Sequence, residues 1–196
     1  MRLSTKQLVT LAMLAALSLL LVTLPFLRFP IIPLVSFLEY DMADIPILIG
    51  TFLFGPLSGL ILTAVVSLIQ GLTVSSANSW IGIVMHFCAT GAFVLVAGHI
   101  YKRKRTLAGA IIALLAGILT MVLAMIPLNL IFTPIYLEMV VFLPKDIAHQ
   151  TVKNLLLPGI IPFNLIKAGV NGLITFLLYK RLGKLLRLEK TQNNPR

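Results

Sequence analysis

The stretch from Trp80 to Phe132, WIGIVMHFCATGAFVLVAGHIYKRKRTLAGAIIALLAGILTMVLAMIPLNLIF, consists of two long apolar runs hinged on Lys102-Arg103-Lys104-Arg105. A bilayer core takes about 20 apolar helical residues to cross, and the runs at 80–101 and 107–132 are long enough to do so. Four adjacent cations have no place in hydrocarbon. The pair therefore reads as two membrane-crossing helices that meet at a basic loop.

Outward from this pair, apolar runs at 7–27, 42–54, 56–72 and 162–179 complete a bundle of six expected spans, an all-α integral membrane domain. Gly55-Pro56 marks a turn between the second and third spans, which are short and expected to tilt or to form a tight hairpin. The first run follows Arg2 and Lys6. It is longer than the apolar part of a signal peptide and no small-x-small cleavage site follows, so it reads as a retained helix. Residues 133–161 are mixed in character and are expected to form an ordered external loop, with room for a short surface helix.

Composition agrees. The 196 residues are 59% hydrophobic and 11% charged, with mean hydropathy +1.02, whereas a soluble domain carries about 25% charged residues. A net charge of +10 invites nucleic acid as a partner, but the cations sit where membrane topology puts them, and nucleic-acid binding is set aside. Cys88, the single cysteine, lies in an apolar run, so there is no disulfide framework and its expected role is that of a small buried hydrophobe.

Orientation follows from lysine and arginine, which cytoplasmic loops retain. Arg2, Lys6, the run at 102–105, Lys180, Arg181, Lys184, Arg187, Lys190 and Arg196 fit one side. Arg28, Lys145 and Lys153 fall in the opposite loops, and Lys167 lies within a span. Six crossings with both termini cytoplasmic satisfy this pattern. Contact of the basic clusters with anionic membrane lipids is a by-product.

With direction assigned, each polar residue has a depth at about 1.5 Å per residue. Glu39, Tyr40, Asp41 and Asp44 lie at the outer start of the second span. Gln70 is near the outer end of the third, Asn78 in the turn after it, His86 in the outer half of the fourth and Asn129 near the outer end of the fifth. Asn164 and Lys167 share a face in the first turns of the sixth, with Asn171 one turn deeper. Simpler roles exist for some: Asp44 as a helix cap, His86 as a core histidine, Gln70 and Asn171 as bonds between helices. The inner halves carry little beyond Thr51, Ser58, Thr63, Thr120 and Thr175, whose hydroxyls can bond their own helix. A channel needs polar groups along a whole path. This distribution instead predicts a cup open outward and closed inward. Amides both donate and accept, and Phe37, Leu38, Trp80, Phe132 and Phe163 are positioned to bury a flat ring. The residues alone point to a small polar organic molecule with an aromatic part.

The stretch FLEYDMADIPILIG at 37–50, continuing to FGPLSG at 54–59, resembles the substrate-capture (S) components of energy-coupling factor transporters. MHFCATG at 85–91 and PFNLIKAGVN at 162–171, running into TFLLYKR at 175–181, are similar to the riboflavin-specific members in their fourth and sixth helices. The resemblance implies a multi-pass protein of the bacterial cell membrane that takes riboflavin from outside as transported ligand, with no cofactor. It implies as partners a transmembrane coupling subunit and a pair of cytoplasmic ATPases, since the chain has no Walker-type phosphate loop. The polar residues gathered at the outer end, Asn164, Lys167, Asn129, Glu39, Tyr40, Asp41, Asn78 and His86, are the expected substrate contacts, and the resemblance singles out the Asn164-x-x-Lys167 segment as the discriminating part. It also implies that the small residues Ala12, Ala15 and Ala16 form the docking face for the coupling subunit, as close helix approach requires. Competing expectations are the same architecture for thiamine or pantothenate, and an intramembrane enzyme using His86 with Asp41 or Asp44. Against the enzyme stand the absence of His-Glu-x-x-His and of a serine nucleophile elbow.

Overall fold

In the computed structural model the described residues are 4–74 and 79–192, with side chains described through 181 except at 79. Seven helices account for most of them: α1 (Thr5–Thr23), α2 (Asp44–Phe54), α3 (Pro56–Thr73), α4 (Ser79–Arg103), α5 (Leu107–Val140), α6 (Lys145–Leu155) and α7 (Ile161–Gln192). Five of these, α1, α3, α4, α5 and the run through α7, are long and apolar enough to cross a membrane, and α2 is apolar but short. The expected all-α membrane bundle is what the chain forms.

Local chemistry sets the ends. Ser4 and Gln7 form a capping box at the start of α1, the Ser4 hydroxyl accepting from Gln7 N–H at 3.3 Å and Gln7 Oε1 accepting from Ser4 N–H at 3.0 Å. The first span was expected to reach residue 27, but α1 stops at Thr23. Proline disfavours helical geometry in the residue before it, and Pro25 leaves Leu24 extended before a single 3-10 turn, Pro25–Leu27. Gly55, at φ 96°, turns α2 straight into α3, whose first residue is Pro56. Only glycine adopts that angle without penalty. Thr106 caps α5 by accepting from Gly109 N–H at 3.0 Å.

At eleven residues α2 is about 16 Å long, half a bilayer core. It is the central element, wrapped by α1, α3, α4 and α7, and nine of its residues are buried. The outside of the bundle is apolar: α5 exposes Ile111, Leu115, Leu119 and Leu123 at four-residue spacing. Such a stripe suits acyl chains, not water.

The largest departure from expectation is 133–161. Instead of a loop, α5 continues through Pro134 to Val140, α6 follows, and the wide turn Leu156–Ile160 leads into α7. The mixed composition is that of an amphipathic helix: Ala148 and Val152 of α6 are buried while Lys145, Asp146 and Lys153 are exposed. Together Val35, Leu137, Ala148, Val152, Ile160 and Phe163 build a small second core, separate from the main one around α2.

At the other end of the bundle, Phe52 packs on Tyr101 and Tyr179 with ring centroids 4.5 and 5.4 Å away, and the two tyrosine hydroxyls hydrogen-bond each other. This contact gathers the ends of α2 and α4 against α7, and with them the basic residues at 102–105 and 180–181. Ser18 of α1 donates to Ala43 O at 2.8 Å beside the start of α2, so α1 runs antiparallel to α2 and Lys6 lies at the same basic end. Between the aromatic seal and the polar end, Thr51, Ser58, Thr63, Thr120 and Thr175 each donate to the carbonyl four residues earlier. No polar path crosses this half among the described residues.

Candidate ligand-binding site

A cavity opens between the two cores, at the end opposite the basic clusters. Its volume is about 170 Å³, room for several water molecules. Its apolar walls include Phe37, Leu38, Met85, Met121, Met125 and Phe163, and its polar groups are Glu39, Asp41, Gln70, His86, Thr133, Tyr136, Asn164 and Lys167.

The floor is built on the start of α2. Asp41 turns the chain into that helix by accepting Ala43 N–H on Oδ1 at 3.0 Å. Its Oδ2 receives Lys167 Nζ from α7 at 2.7 Å, with side chains 6% and 11% exposed. A buried charge needs such a partner. Asn171, one turn below Lys167, donates to Asp41 O at 3.1 Å and towards Asp44 Oδ2 at 3.4 Å, and accepts from the Tyr40 hydroxyl at 2.9 Å. Burial first, then the neighbouring Asp41 carboxylate, raises the Tyr40 hydroxyl above its ordinary value, which keeps it a donor.

Asp44 is a hub rather than a cap. Its Oδ1 accepts from Thr90 at 2.8 Å and from His86 Nε2 at 3.1 Å. Because a carboxylate only accepts, Nε2 carries the hydrogen, and in the neutral ring the Ser67 hydroxyl donates to Nδ1 at 2.7 Å. Ser67, His86 and Asp44 thus follow one another like a hydrolase triad. Ser67, however, is buried and lies outside the cavity wall, so its oxygen has no substrate to attack. The array holds His86 in place at the cavity edge.

Two buried side-chain polar atoms are without a partner among the described residues, Asn164 Oδ1 and Gln70 Oε1. Asn164, which lines the cavity, is fully buried and its amide donates to Ile160 O at 2.8 Å, leaving its oxygen unpaired. Leaving a buried acceptor unpaired costs about 1–3 kcal/mol.

Other expected contacts are placed differently. Asn129 is buried but spends its amide on Met125 O and its oxygen on the Thr133 hydroxyl, at 2.8 and 2.9 Å, and Thr133 faces the cavity in its stead. Tyr40 supports Asn171 from outside the wall. Trp80 stacks edge-on against Phe132 at 6.0 Å and is 45% exposed, so neither forms the cavity wall. Glu39 borders the mouth and is held by Arg28 Nε at 2.7 Å. Asn78 lies outside the described residues. On α1, Ala12 and Ala16 are exposed, whereas Ala15 is buried against the bundle. Met85, Met121, Met125, Thr133 and Tyr136 carried no signal in the sequence. A methionine in a span reads the same whether it faces ligand or lipid, and 133–136 fell in the expected loop.

The sequence matches, over residues 6–179, the family described as ECF transporter, substrate-specific component. Riboflavin transporter RibU of Staphylococcus aureus (strain TCH60) is 36% identical over 183 residues, 93% of either chain. Riboflavin transporter FmnP of Bacillus subtilis (strain 168) is 30% identical over 180 residues, 90% of this chain and 92% of that one. A solved S component of a bacterial ECF transporter superimposes with TM-score 0.76 at 34% identity, covering 92% of this chain and 97% of that one. The S component for biotin from an ECF-type ABC transporter, at 19% identity and TM-score 0.52 over 91% and 95% of the two chains, shares the fold.

Proposed function

The chain belongs to the substrate-specific components of ECF transporters, and from that membership we propose that its cavity captures riboflavin for uptake across the bacterial cell membrane. It is a binding subunit of a transporter, not an enzyme. The observation that carries the ligand is the pairing on α7 of a bare amide oxygen, Asn164 Oδ1, with the Lys167 ammonium one turn on. The imide edge of a flavin ring presents an N–H between two carbonyls, which complements an acceptor beside a donor. The surrounding Met, Phe and Leu side chains suit a flat apolar ring. Relatives named as riboflavin transporters support this ligand over thiamine or pantothenate.

The cavity faces outward in this reading, because the opposite end gathers the basic residues that cytoplasmic loops retain; both termini are then cytoplasmic. The sealed inner half leaves no polar route among the described residues, so release depends on the ECF partners: a transmembrane coupling subunit and two ATPase subunits. Ala12 and Ala16, exposed on α1, offer the coupling subunit a flat face for close helix contact. Ala15 is turned inward and takes no part.

The test is an absorption spectrum of protein purified in detergent from flavin-replete cells. Visible flavin bands, or quenching of added riboflavin's fluorescence, are expected. A colourless preparation that neither quenches riboflavin nor shifts its spectrum refutes the ligand.

A further inference from the structure

Asn164 Oδ1 is not alone in lacking a partner. Gln70, near the end of α3, borders the same cavity with its Oε1 closed off from solvent and unpaired. The other buried amides of this region are engaged: Asn129 with Met125 and Thr133, Asn171 with Tyr40 and Asp41. The sequence allowed Gln70 a bond to a neighbouring helix, and its oxygen makes none. It sits on a different wall from Asn164, for α3 packs on α1, α2 and α4 while α7 packs on α2 and α5. The ligand must therefore bring donors to two separate places.

An oxidised isoalloxazine ring has one N–H, at N3. If the ring's imide edge meets Asn164 and Lys167, it has no donor left for a second acceptor. The ribityl chain, with four hydroxyls, does. Resting on the riboflavin reading, we infer that Gln70 accepts a ribityl hydroxyl and makes this site discriminate riboflavin from flavins that lack the chain. A site built to hydrogen-bond a hydroxyl rejects the analogue without it, since the buried partner is then left bare.

Wild type and Gln70→Met, a change that keeps side-chain length and removes the amide, are titrated in detergent with riboflavin and with lumiflavin, whose ring bears a methyl in place of the ribityl chain. Wild type is expected to prefer riboflavin. The variant is expected to bind riboflavin about tenfold more weakly and lumiflavin unchanged, so that the preference falls about tenfold. Since the substitution removes an unsatisfied buried atom, the Tm of the ligand-free protein should hold or rise, while the rise induced by riboflavin shrinks. Equal losses for both flavins, no loss for riboflavin, or a lowered ligand-free Tm overturns the role of Gln70. Wild type that binds neither flavin overturns the riboflavin reading itself.

Discussion

Replacing Lys167 with methionine removes one charge of a buried pair while keeping the length of the side chain. Lys167 Nζ lies 2.7 Å from Asp41 Oδ2, and the two side chains are 11% and 6% exposed. In the variant Asp41 keeps Ala43 N–H on Oδ1, but the charge on Oδ2 is left without a counter-ion. Breaking a buried pair from one side costs about 3–5 kcal/mol, whereas removing both charges is often close to neutral. Thermal unfolding in detergent reads this directly. At about 2–4 °C per kcal/mol for a chain of this size, Lys167→Met should lower Tm by roughly 10 °C. Adding Asp41→Asn, which can still accept Ala43 N–H, should restore most of it. Binding should behave otherwise. Lys167 in this reading also donates to a ligand carbonyl, so both the single and the double variant should lose about 10- to 100-fold in riboflavin affinity. A double variant as unstable as the two single losses summed means that the pair is not coupled. One that regains full affinity means that Lys167 serves Asp41 alone.

Ala12→Leu with Ala16→Leu should leave riboflavin binding in detergent within about twofold and abolish uptake in cells, because both side chains point away from the cavity; lost binding would place α1 in the site. At Gly117→Ala the new Cβ would lie 2.2 Å from Cδ2 of the fully buried Phe93. Differential scanning should show a loss of about 1–3 kcal/mol from overpacking between α4 and α5, and an unchanged Tm would show that this contact yields freely. For orientation, cysteines replacing Lys104 and Lys153 in a Cys88→Ala background are probed in intact cells with an impermeant maleimide. Labelling is expected at 153 and not at 104, and the reverse pattern inverts the assigned direction.

The spans were legible because hydrophobicity and length are local properties. The runs at 7–27 and 56–72 and the pair around 102–105 needed no tertiary information. The exceptions have local causes too: Pro25 shortened α1, and the expected loop at 133–161 hid an amphipathic helix whose buried face, Ala148 and Val152, is too sparse to raise mean hydropathy. The candidate site was legible as a set of polar residues at one depth, but not as partners. Asp44 read as a cap and is a hub for Thr90, His86 and Asn171. Asn129 read as a ligand contact and is occupied by its own helix.

By itself, then, the sequence determined the class of structure and the asymmetry between a polar and a sealed half. Each of these is a sum over many residues of the transfer free energy between water and hydrocarbon. Which polar atoms are spoken for was decided only by the tertiary structure, because a hydrogen bond depends on angstrom-scale placement of residues far apart in the chain. Lys167 and Asp41, 126 positions apart, satisfy each other. Asn164 and Gln70, equally polar on paper, line one cavity and are each left with a buried, unpaired oxygen.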